Sequence, residues 1–184
     1  FNALTKSGAR PGDTVVIQGI GGLGHLAIQY AQKMGYKVIA VGRGSDIRQD
    51  ALNLGAHQYI DTLESDPVAE IKKAGGAQVI LTTITNSEAA SGLVKALAPQ
   101  GKFMVVGAGS SPLLIMPGAM VGNELRLEGS LTGTPYETER ALKFSLLTSV
   151  RAQIETAPLA EAESAYQRMR SGDVKFRMVL RMDL

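Results

Sequence analysis

The sequence predicts an α/β fold, a doubly wound parallel sheet in a single domain of 184 residues. Short β-branched runs alternate with segments of helical spacing along the chain, with no repeat or linker between them. The first strand, Thr14–Gln18, leads through glycines into a helical segment closed by Gly35, and a second strand, Lys37–Val41, follows. Strands separated by helices at this spacing form right-handed βαβ units, so both faces of the sheet are expected to be covered.

The same alternation predicts the other elements. Strands are expected at Gln58–Asp61, Ala77–Leu81, Lys102–Val106, Leu113–Met116, Glu124–Leu131 and Lys175–Arg181. Helices are expected at Asp46–Leu54 and Pro67–Lys73. Two more are expected to begin at capping boxes, one at Thr85 with Glu88 and one at Thr134 with Glu137, the second ending at about Ser149. A last, amphipathic helix would have Leu159, Ala162, Tyr166 and Met169 on one face.

Composition excludes several classes of function. The 19 basic and 17 acidic residues are interspersed and give a net charge of +2, which argues against a nucleic-acid partner. No apolar stretch has the length of a membrane span and no signal peptide is visible, so we expect no membrane partner and a cytoplasmic location. With no cysteine and only two histidines, the chain offers no disulfide, no structural zinc site and no thiolate-ligated metal.

The glycine-rich segment Gly19-Ile20-Gly21-Gly22-Leu23-Gly24 follows the first strand and opens a helix. In this context a G-x-G-x-x-G pattern is the fingerprint of a Rossmann dinucleotide-binding fold. Gly19 would permit the tight turn, Gly21 would let the backbone approach a pyrophosphate, and Gly24 would allow close packing of helix on strand. Free N–H groups at the helix N-terminus then favour the phosphates, and the pattern predicts a nicotinamide dinucleotide as ligand.

The end of the second strand bears on which dinucleotide is bound. An NAD site of this kind normally has an acidic residue there, which accepts hydrogen bonds from the adenosine ribose. Here Val41 is followed by Gly42, Arg43, Gly44 and Ser45, and the first carboxylate is Asp46. Arg43 could pair with a 2′-phosphate and Ser45 could bond to it, so the sequence favours NADP over NAD. The alternative is that Arg43 is a solvated turn residue.

Four segments together resemble the zinc-containing alcohol dehydrogenases of the medium-chain dehydrogenase/reductase superfamily, including the cinnamyl-type enzymes. They are Gly19–His25 (GIGGLGH), Leu54–His57 (LGAH), Gly129–Thr134 (GSLTGT) and Phe176–Leu180 (FRMVL). The resemblance implies hydride transfer between the coenzyme and an alcohol or aldehyde. It also implies a catalytic domain that precedes this region and carries the zinc. Phe1–Leu4 resembles the interior of the helix that links the two domains, so residues 1–10 would end that helix, and a tail from about 151 to 184 would return to the catalytic domain.

The resemblance also implies roles for individual residues. Gly19, Gly21, Gly22, Leu23 and Gly24 match the pyrophosphate turn, and His25 would either approach the phosphates or point to solvent. Gly42 stands where NAD-specific members carry an aspartate. Thr83, and with less weight Thr85, would line the ribose; Gly107 and Ala108 would lie beside the nicotinamide. Ser130, Leu131 and Thr132 would hold its carboxamide, and Arg177 would bind the pyrophosphate, unless it is an ordinary surface charge like Lys175 and Arg181.

One further element bears on assembly. The apolar segment Ser111–Met116 would be an exposed sheet edge near Leu113–Met116, and a strand edge of this kind is a pairing site. In the family the corresponding strand pairs across a two-fold dimer, so a homodimer is expected. The alternative is an edge capped by its own chain.

Three other functions stay open at this point. A zinc-independent quinone or enone reductase of the same superfamily would typically have an A-x-x-G-x-G type of turn. A non-catalytic nucleotide-binding module would share the fold. A methyltransferase that binds adenosylmethionine would require an acid at the end of the second strand. Because no catalytic acid, base or metal ligand is visible in the sequence, the chain alone is expected to bind coenzyme and to catalyse little.

Overall fold

In the computed structural model, which describes residues 1–182, six strands form one sheet in the order β3-β2-β1-β4-β5-β6. Every neighbouring pair is parallel, which confirms the predicted doubly wound sheet. The strands are β1 (Thr14–Gln18), β2 (Lys37–Gly42), β3 (Gln58–Asp61), β4 (Ala77–Thr82), β5 (Leu97–Val105) and β6 (Arg126–Gly129). The chain winds outward in both directions from β1 and β4, so the crevice at their carboxyl ends is where this topology binds ligands.

Eight α-helices accompany the strands: α1 (Asn2–Lys6), α2 (Gly24–Lys33), α3 (Arg48–Asn53), α4 (Pro67–Lys73), α5 (Ser87–Leu93), α6 (Pro117–Gly122), α7 (Pro135–Thr148) and α8 (Ala162–Ser171) among the described residues. The predicted capping box of Thr134 and Glu137 is present at the start of α7. The sequence analysis did not predict α6. Within residues 1–182, no helix combines the length and the apolar character that crossing a membrane requires.

Two hydrophobic cores cover the two faces of the sheet. On one face, Leu4 of α1 and Ile28 of α2 pack with Val15 and Ile17 of β1. On the other, Ile71 of α4 and residues of α5 pack with alternate strand residues such as Ile80. β1 is buried over all five of its residues, as expected for a central parallel strand that is covered on both sides.

A small unit follows the main sheet. Strands β7 (Ile154–Pro158) and β8 (Arg177–Arg181) form a separate two-stranded parallel sheet that is connected through α8. The sequence analysis missed β7, because only one of its five residues is buried and it has no apolar alternation. The predicted apolar face of α8 is only partly buried, since Tyr166 and Met169 are half exposed. Residues 183 and 184 of the predicted tail lie outside the described residues.

The expected N-cap of α5 at Thr85 is wrong. The helix begins at Ser87, and the N-cap is Asn86, whose side-chain oxygen accepts a hydrogen bond of 2.9 Å from the Ala89 N–H. Both residue types cap helices well, and the choice depends on where the preceding loop turns. Thr85 is consequently exposed and free of the capping role, which was the reason for giving it less weight as a ribose contact.

The strand expected at Leu113–Met116 does not form within residues 1–182, and the pairing of this segment with a second copy of the chain stays a prediction. These residues pair with no strand among the described residues, and the edge of the sheet is β6. Leu113 and Ile115 pack against the core, whereas Leu114 and Met116 are exposed. The Leu114 N–H donates to the Ser91 hydroxyl, with N and Oγ 2.9 Å apart, instead of to a neighbouring strand. The alternation that predicted a strand therefore reflects packing on one side only.

Candidate coenzyme-binding site

The glycine-rich turn lies at the carboxyl end of β1, at the crevice between β1 and β4. Gly19 has φ +88°, a conformation that side chains disfavour. A Cβ atom on Gly24 would overlap the Gly19 carbonyl oxygen, so the turn closes directly onto the first residue of α2. The Thr83 hydroxyl lies 3.0 Å from the Gln18 carbonyl oxygen and 3.1 Å from that of Gly19. Thr83, which was predicted to line the ribose, therefore also holds the turn.

The middle of the turn is open at one glycine and covered at the next. A Cβ atom on Gly21 would meet no described heavy atom within 4 Å, whereas one on Gly22 would lie 2.6 Å from Cζ of Arg177. The guanidinium of Arg177 therefore lies directly over Gly22, although the two residues are far apart in the sequence. This cation and the N–H groups at the start of α2 are suited to an anionic group at Gly21 and Gly22.

His25 is fully buried, so the alternative in which it points to solvent is wrong. Its Nε2 accepts a hydrogen bond of 3.1 Å from the Gln153 N–H, and its Nδ1 lies 3.2 Å from the Gly21 carbonyl oxygen. These partners assign the proton to Nδ1, and neither ring nitrogen is left to contact a phosphate. The ring also stacks on Phe176, with centroids 4.6 Å apart and planes 20° apart. Burial, more than the nearby Arg177 charge, lowers the pKa of His25.

At the end of β2, the loop that was predicted to recognise the adenosine ribose is held by β3. A Cβ atom on Gly42 would lie 2.8 Å from Oη of Tyr59. The Tyr59 hydroxyl donates to the Gly44 carbonyl oxygen at 2.5 Å, and the Asp61 carboxylate accepts from the Gly44 N–H at 2.8 Å. Arg43 and Ser45 lie on either side of this anchored peptide, and both are exposed. The sequence analysis missed Tyr59 and Asp61; their position at the end of a strand was the available signal.

Tyr59 lies among acidic side chains, with Arg48 as the one basic group that acts on it among the described residues. Burial, followed by the Asp61 charge, raises the pKa of Tyr59 to about 12, so this hydroxyl stays protonated and acts as a donor. The Asp61 carboxylate also accepts from the Leu63 N–H at 2.9 Å. The Arg48 guanidinium lies 5.2 Å from the centre of the Tyr59 ring and pairs with Glu64 at 2.5 Å. Arg43, in contrast, makes no side-chain hydrogen bond or ion pair among residues 1–182.

A cavity of about 440 Å³ opens beside the turn, at the carboxyl ends of the strands. Five of the predicted site residues line it: Leu23, Thr83, Ser130, Leu131 and Thr132. The remaining wall is largely apolar and comes from α1, α2 and α7. The Asn2 side chain donates to the Thr132 carbonyl oxygen at 2.8 Å, which fixes the loop after β6. The structure thus brings the expected ribose and carboxamide residues to one volume next to the glycine turn.

Gly107 and Ala108 lie at the end of β5, on the other side of Thr83. A Cβ atom on Gly107 would lie 2.6 Å from the Thr83 carbonyl oxygen, so the two loops pack backbone to backbone. The Gly107 N–H donates to the Thr82 carbonyl oxygen at 3.2 Å. Ala108 is exposed. Both residues are therefore near the cavity at the strand ends, although neither lines it.

A family model described as zinc-binding dehydrogenase matches residues 22–146. The chain belongs to the zinc-binding dehydrogenase family. It is 39% identical over 183 residues to alcohol dehydrogenase notN from Aspergillus sp. (strain MF297-2), covering 100% of this chain and 54% of that protein. It is 37% identical over 183 residues to an alcohol dehydrogenase from Geobacillus stearothermophilus, covering 99% of this chain and 54% of that protein. The chain spans about half the length of these curated relatives.

The structure of the alcohol dehydrogenase from the archaeon Aeropyrum pernix superposes with a TM-score of 0.89 at 27% identity. The match covers 98% of this chain and 53% of that one. The resemblance to alcohol dehydrogenases and the Rossmann-like fold that the sequence predicted are therefore confirmed. The individual coenzyme contacts stay predictions, which the geometry above locates.

The family name implies zinc, which proteins bind through three or four His, Cys, Asp or Glu side chains. Among residues 1–182, no group of three or more His, Cys, Asp or Glu side chains is arranged to hold a metal ion. His25 is buried with both ring nitrogens bonded to protein, and His57 accepts a hydrogen bond of 3.0 Å from the Val38 N–H through Nδ1. The residues present do not fit a zinc site, and we assign the metal no role in this part of the chain.

Proposed function

We propose that this chain is the NAD(P)-binding domain of an alcohol dehydrogenase, which transfers a hydride between a nicotinamide coenzyme and an alcohol or aldehyde. The observation that carries the proposal is the glycine turn at the β1–β4 crevice, open at Gly21 and covered by Arg177 at Gly22. A turn of this shape at the switch point of a doubly wound sheet is suited to a pyrophosphate.

The neighbouring residues have a place in this proposal. The pyrophosphate would lie on Gly21 and Gly22 under Arg177, and the nicotinamide half would enter the cavity lined by Thr83 and Ser130–Thr132. The bound coenzyme supplies the hydride chemistry, and the protein supplies binding and orientation. Gly19 and Gly24 shape the turn, Leu23 forms one wall, and Gly107 with Ala108 borders the nicotinamide end.

We further propose that NADP is preferred over NAD. Gly42 carries no carboxylate that would repel a 2′-phosphate, and the exposed Arg43 has no ion-pair partner among the described residues. Of the three carboxylates near this loop, Glu64 pairs with Arg48 and Asp61 accepts two backbone hydrogen bonds, whereas Asp46 is exposed next to Ser45. Because Arg48 is paired with Glu64, Arg43 is the cation of this loop that is left to bind a 2′-phosphate, and the exposed Ser45 follows two residues later.

We also propose the following for the whole protein of which this chain is part. The parent protein is a zinc-type enzyme of the cytoplasm, and its metal lies outside the described residues. The chain spans about half the length of its relatives, and α7 exposes Leu142, Leu146 and Leu147, apolar side chains that a second domain could cover. A homodimer would use the exposed Leu114 and Met116. The isolated chain is expected to bind coenzyme and to catalyse little.

Titration of the chain with NADPH, NADH and adenosylmethionine, followed by fluorescence, tests the proposal. We expect saturable binding of both nicotinamide coenzymes, with tighter binding of NADPH, and no binding of adenosylmethionine. Absence of binding of both NADPH and NADH overturns the proposed function. Equal or tighter binding of NADH overturns only the proposed preference.

A further inference from the structure

We propose that His25 is a positioning residue for the coenzyme phosphates: it holds Phe176 in a strained turn that places Arg177 over Gly22. This inference rests on the proposed function, because it needs a dinucleotide at the glycine turn. His25 itself does not touch the ligand in this arrangement. It acts on binding through the small C-terminal unit formed by β7, α8 and β8.

The backbone at Phe176 forms a strained turn. This residue has φ +66°, and the Arg177 N–H donates to the Lys175 carbonyl oxygen at 2.9 Å. A hydrogen bond between residues two apart around a positive φ defines a γ-turn of the rare, strained form. A bulky residue keeps such a conformation only where its surroundings impose it, and strain of this kind concentrates at ligand-binding sites. The turn at Phe176 therefore needs a contact that imposes it.

His25 provides a contact of this kind. Its ring stacks on the Phe176 ring at 4.6 Å between centroids, and its two nitrogens reach the Gly21 carbonyl oxygen and the Gln153 N–H. One buried side chain thus joins the glycine turn, the start of the C-terminal unit and the strained γ-turn. Because His25 is fully buried and bonded at both nitrogens, its ring plane is fixed, and the Phe176 ring has a fixed surface to pack against.

The turn at Phe176 also sets the direction of Arg177. The residue after the γ-turn begins β8, and its guanidinium lies on Gly22. Lys175, on the other side of Phe176, is turned away from the glycines: its ammonium pairs with Asp50 at 2.8 Å. The γ-turn therefore separates the two cations and sends only Arg177 to the phosphate turn. Without the His25–Phe176 stack, the segment could relax to an ordinary extended backbone and carry Arg177 away from Gly22.

A double-mutant cycle tests this role, with NADPH and NADH affinities measured by fluorescence titration of the full chain. Arg177→Gln is expected to weaken binding about tenfold or more, because it removes a charged hydrogen-bond donor. Phe176→Ala is expected to weaken it about fivefold in the unmodified chain but less than about twofold in the Arg177→Gln background. His25→Gln, which keeps an acceptor for Gln153 but not the flat ring, should behave like Phe176→Ala.

Tyr166→Ala is the matched control, since it removes a half-exposed aromatic ring from α8 of the same unit without a contact to Gly22; it should leave both affinities unchanged. Circular dichroism melting verifies that each variant is folded. If Phe176→Ala or His25→Gln causes the same loss with and without Arg177, or no loss, the positioning role is wrong while the proposed function stands. If the unmodified chain binds neither coenzyme, the proposed function fails, and this inference fails with it.

Discussion

Gly24 packs against Gly19 so closely that a Cβ atom on Gly24 would overlap the Gly19 carbonyl oxygen, whereas one on Gly21 would meet open space. The two glycines therefore serve different purposes in one turn. Gly24 is required for the chain to close the turn onto α2. Gly21 is not required by the packing of the described residues, and its missing side chain leaves room for a ligand.

This contrast gives a prediction that separates folding from binding. Gly21→Ala should leave the melting temperature unchanged and weaken NADPH binding at least about tenfold, because the methyl group would occupy the approach of the pyrophosphate. Gly24→Ala should lower the free energy of unfolding by about 1–3 kcal/mol through overpacking. Thermal melts and coenzyme titrations of both variants measure this. Unchanged NADPH affinity in Gly21→Ala would show that the ligand does not approach this glycine.

Arg43 provides the test of coenzyme preference. Arg43→Gln should weaken NADPH binding about tenfold or more and NADH binding less than about twofold, because a charged hydrogen bond to a phosphate contributes about 1.5–3 kcal/mol. Arg10→Gln is the matched control, since it removes an exposed arginine near the opposite end of β1 and should change neither affinity. Parallel losses for the two coenzymes in Arg43→Gln would remove the argument for a 2′-phosphate contact.

The Tyr59 hydroxyl leaves little room for a side chain at Gly42, in addition to the lack of charge at this position. Gly42→Ala should lower the free energy of unfolding by about 1–3 kcal/mol, because the new Cβ would lie 2.8 Å from Tyr59 Oη in a well-packed region. In a Tyr59→Leu background the same change should cost clearly less, since the two residues are in contact. Urea denaturation of the unmodified chain, the two single variants and the double variant measures the four free energies of unfolding. An equal cost in both backgrounds would show that Tyr59 does not restrict this position.

The sequence predicted the parallel sheet well because its signals are local. β1 and β3 begin and end where their β-branched and aromatic residues predicted, and the glycine turn follows β1 as expected. The wrong predictions concern features that depend on tertiary contacts. Asn86 and Thr85 are both good caps, and only the path of the loop selects Asn86. The 113–116 segment alternates like a strand because the core covers one side, yet within residues 1–182 no partner strand pairs with it.

Residues of the candidate site could be predicted from the sequence only where a pattern within one short segment identifies them. The glycines of the turn were found from their spacing. Arg177, for which the resemblance implied a pyrophosphate contact, lies over Gly22, and the contact itself stays a prediction. His25 could not be placed, because its burial depends on Phe176, more than one hundred residues away in the sequence. Tyr59 and Asp61 were missed for a similar reason: they act on Gly44 across two neighbouring strands, and no local pattern reports that contact.

Acid sensitivity follows from the buried His25. Burial, and then the Arg177 charge, keep the pKa of His25 below its usual 6.5 in the folded chain. The unfolded chain takes up a proton as the pH falls through about 6.5, and the folded chain does so only at lower pH, so the unfolded state binds more protons in between. The stabilisation is therefore complete above about pH 6.5 and decreases as the pH falls below it.

The measurement is the urea midpoint of the chain and of His25→Gln between about pH 5 and pH 8. The unmodified chain should lose stability toward pH 5 more steeply than the variant, because the variant has no proton to take up at this position. His57, the other histidine, is present in both proteins, so its contribution cancels in the comparison. Two curves that stay parallel over this range would mean that His25 does not resist protonation in the folded chain. A steeper loss confined to the unmodified chain would identify the Nε2 acceptor of the Gln153 N–H as the group that must stay neutral.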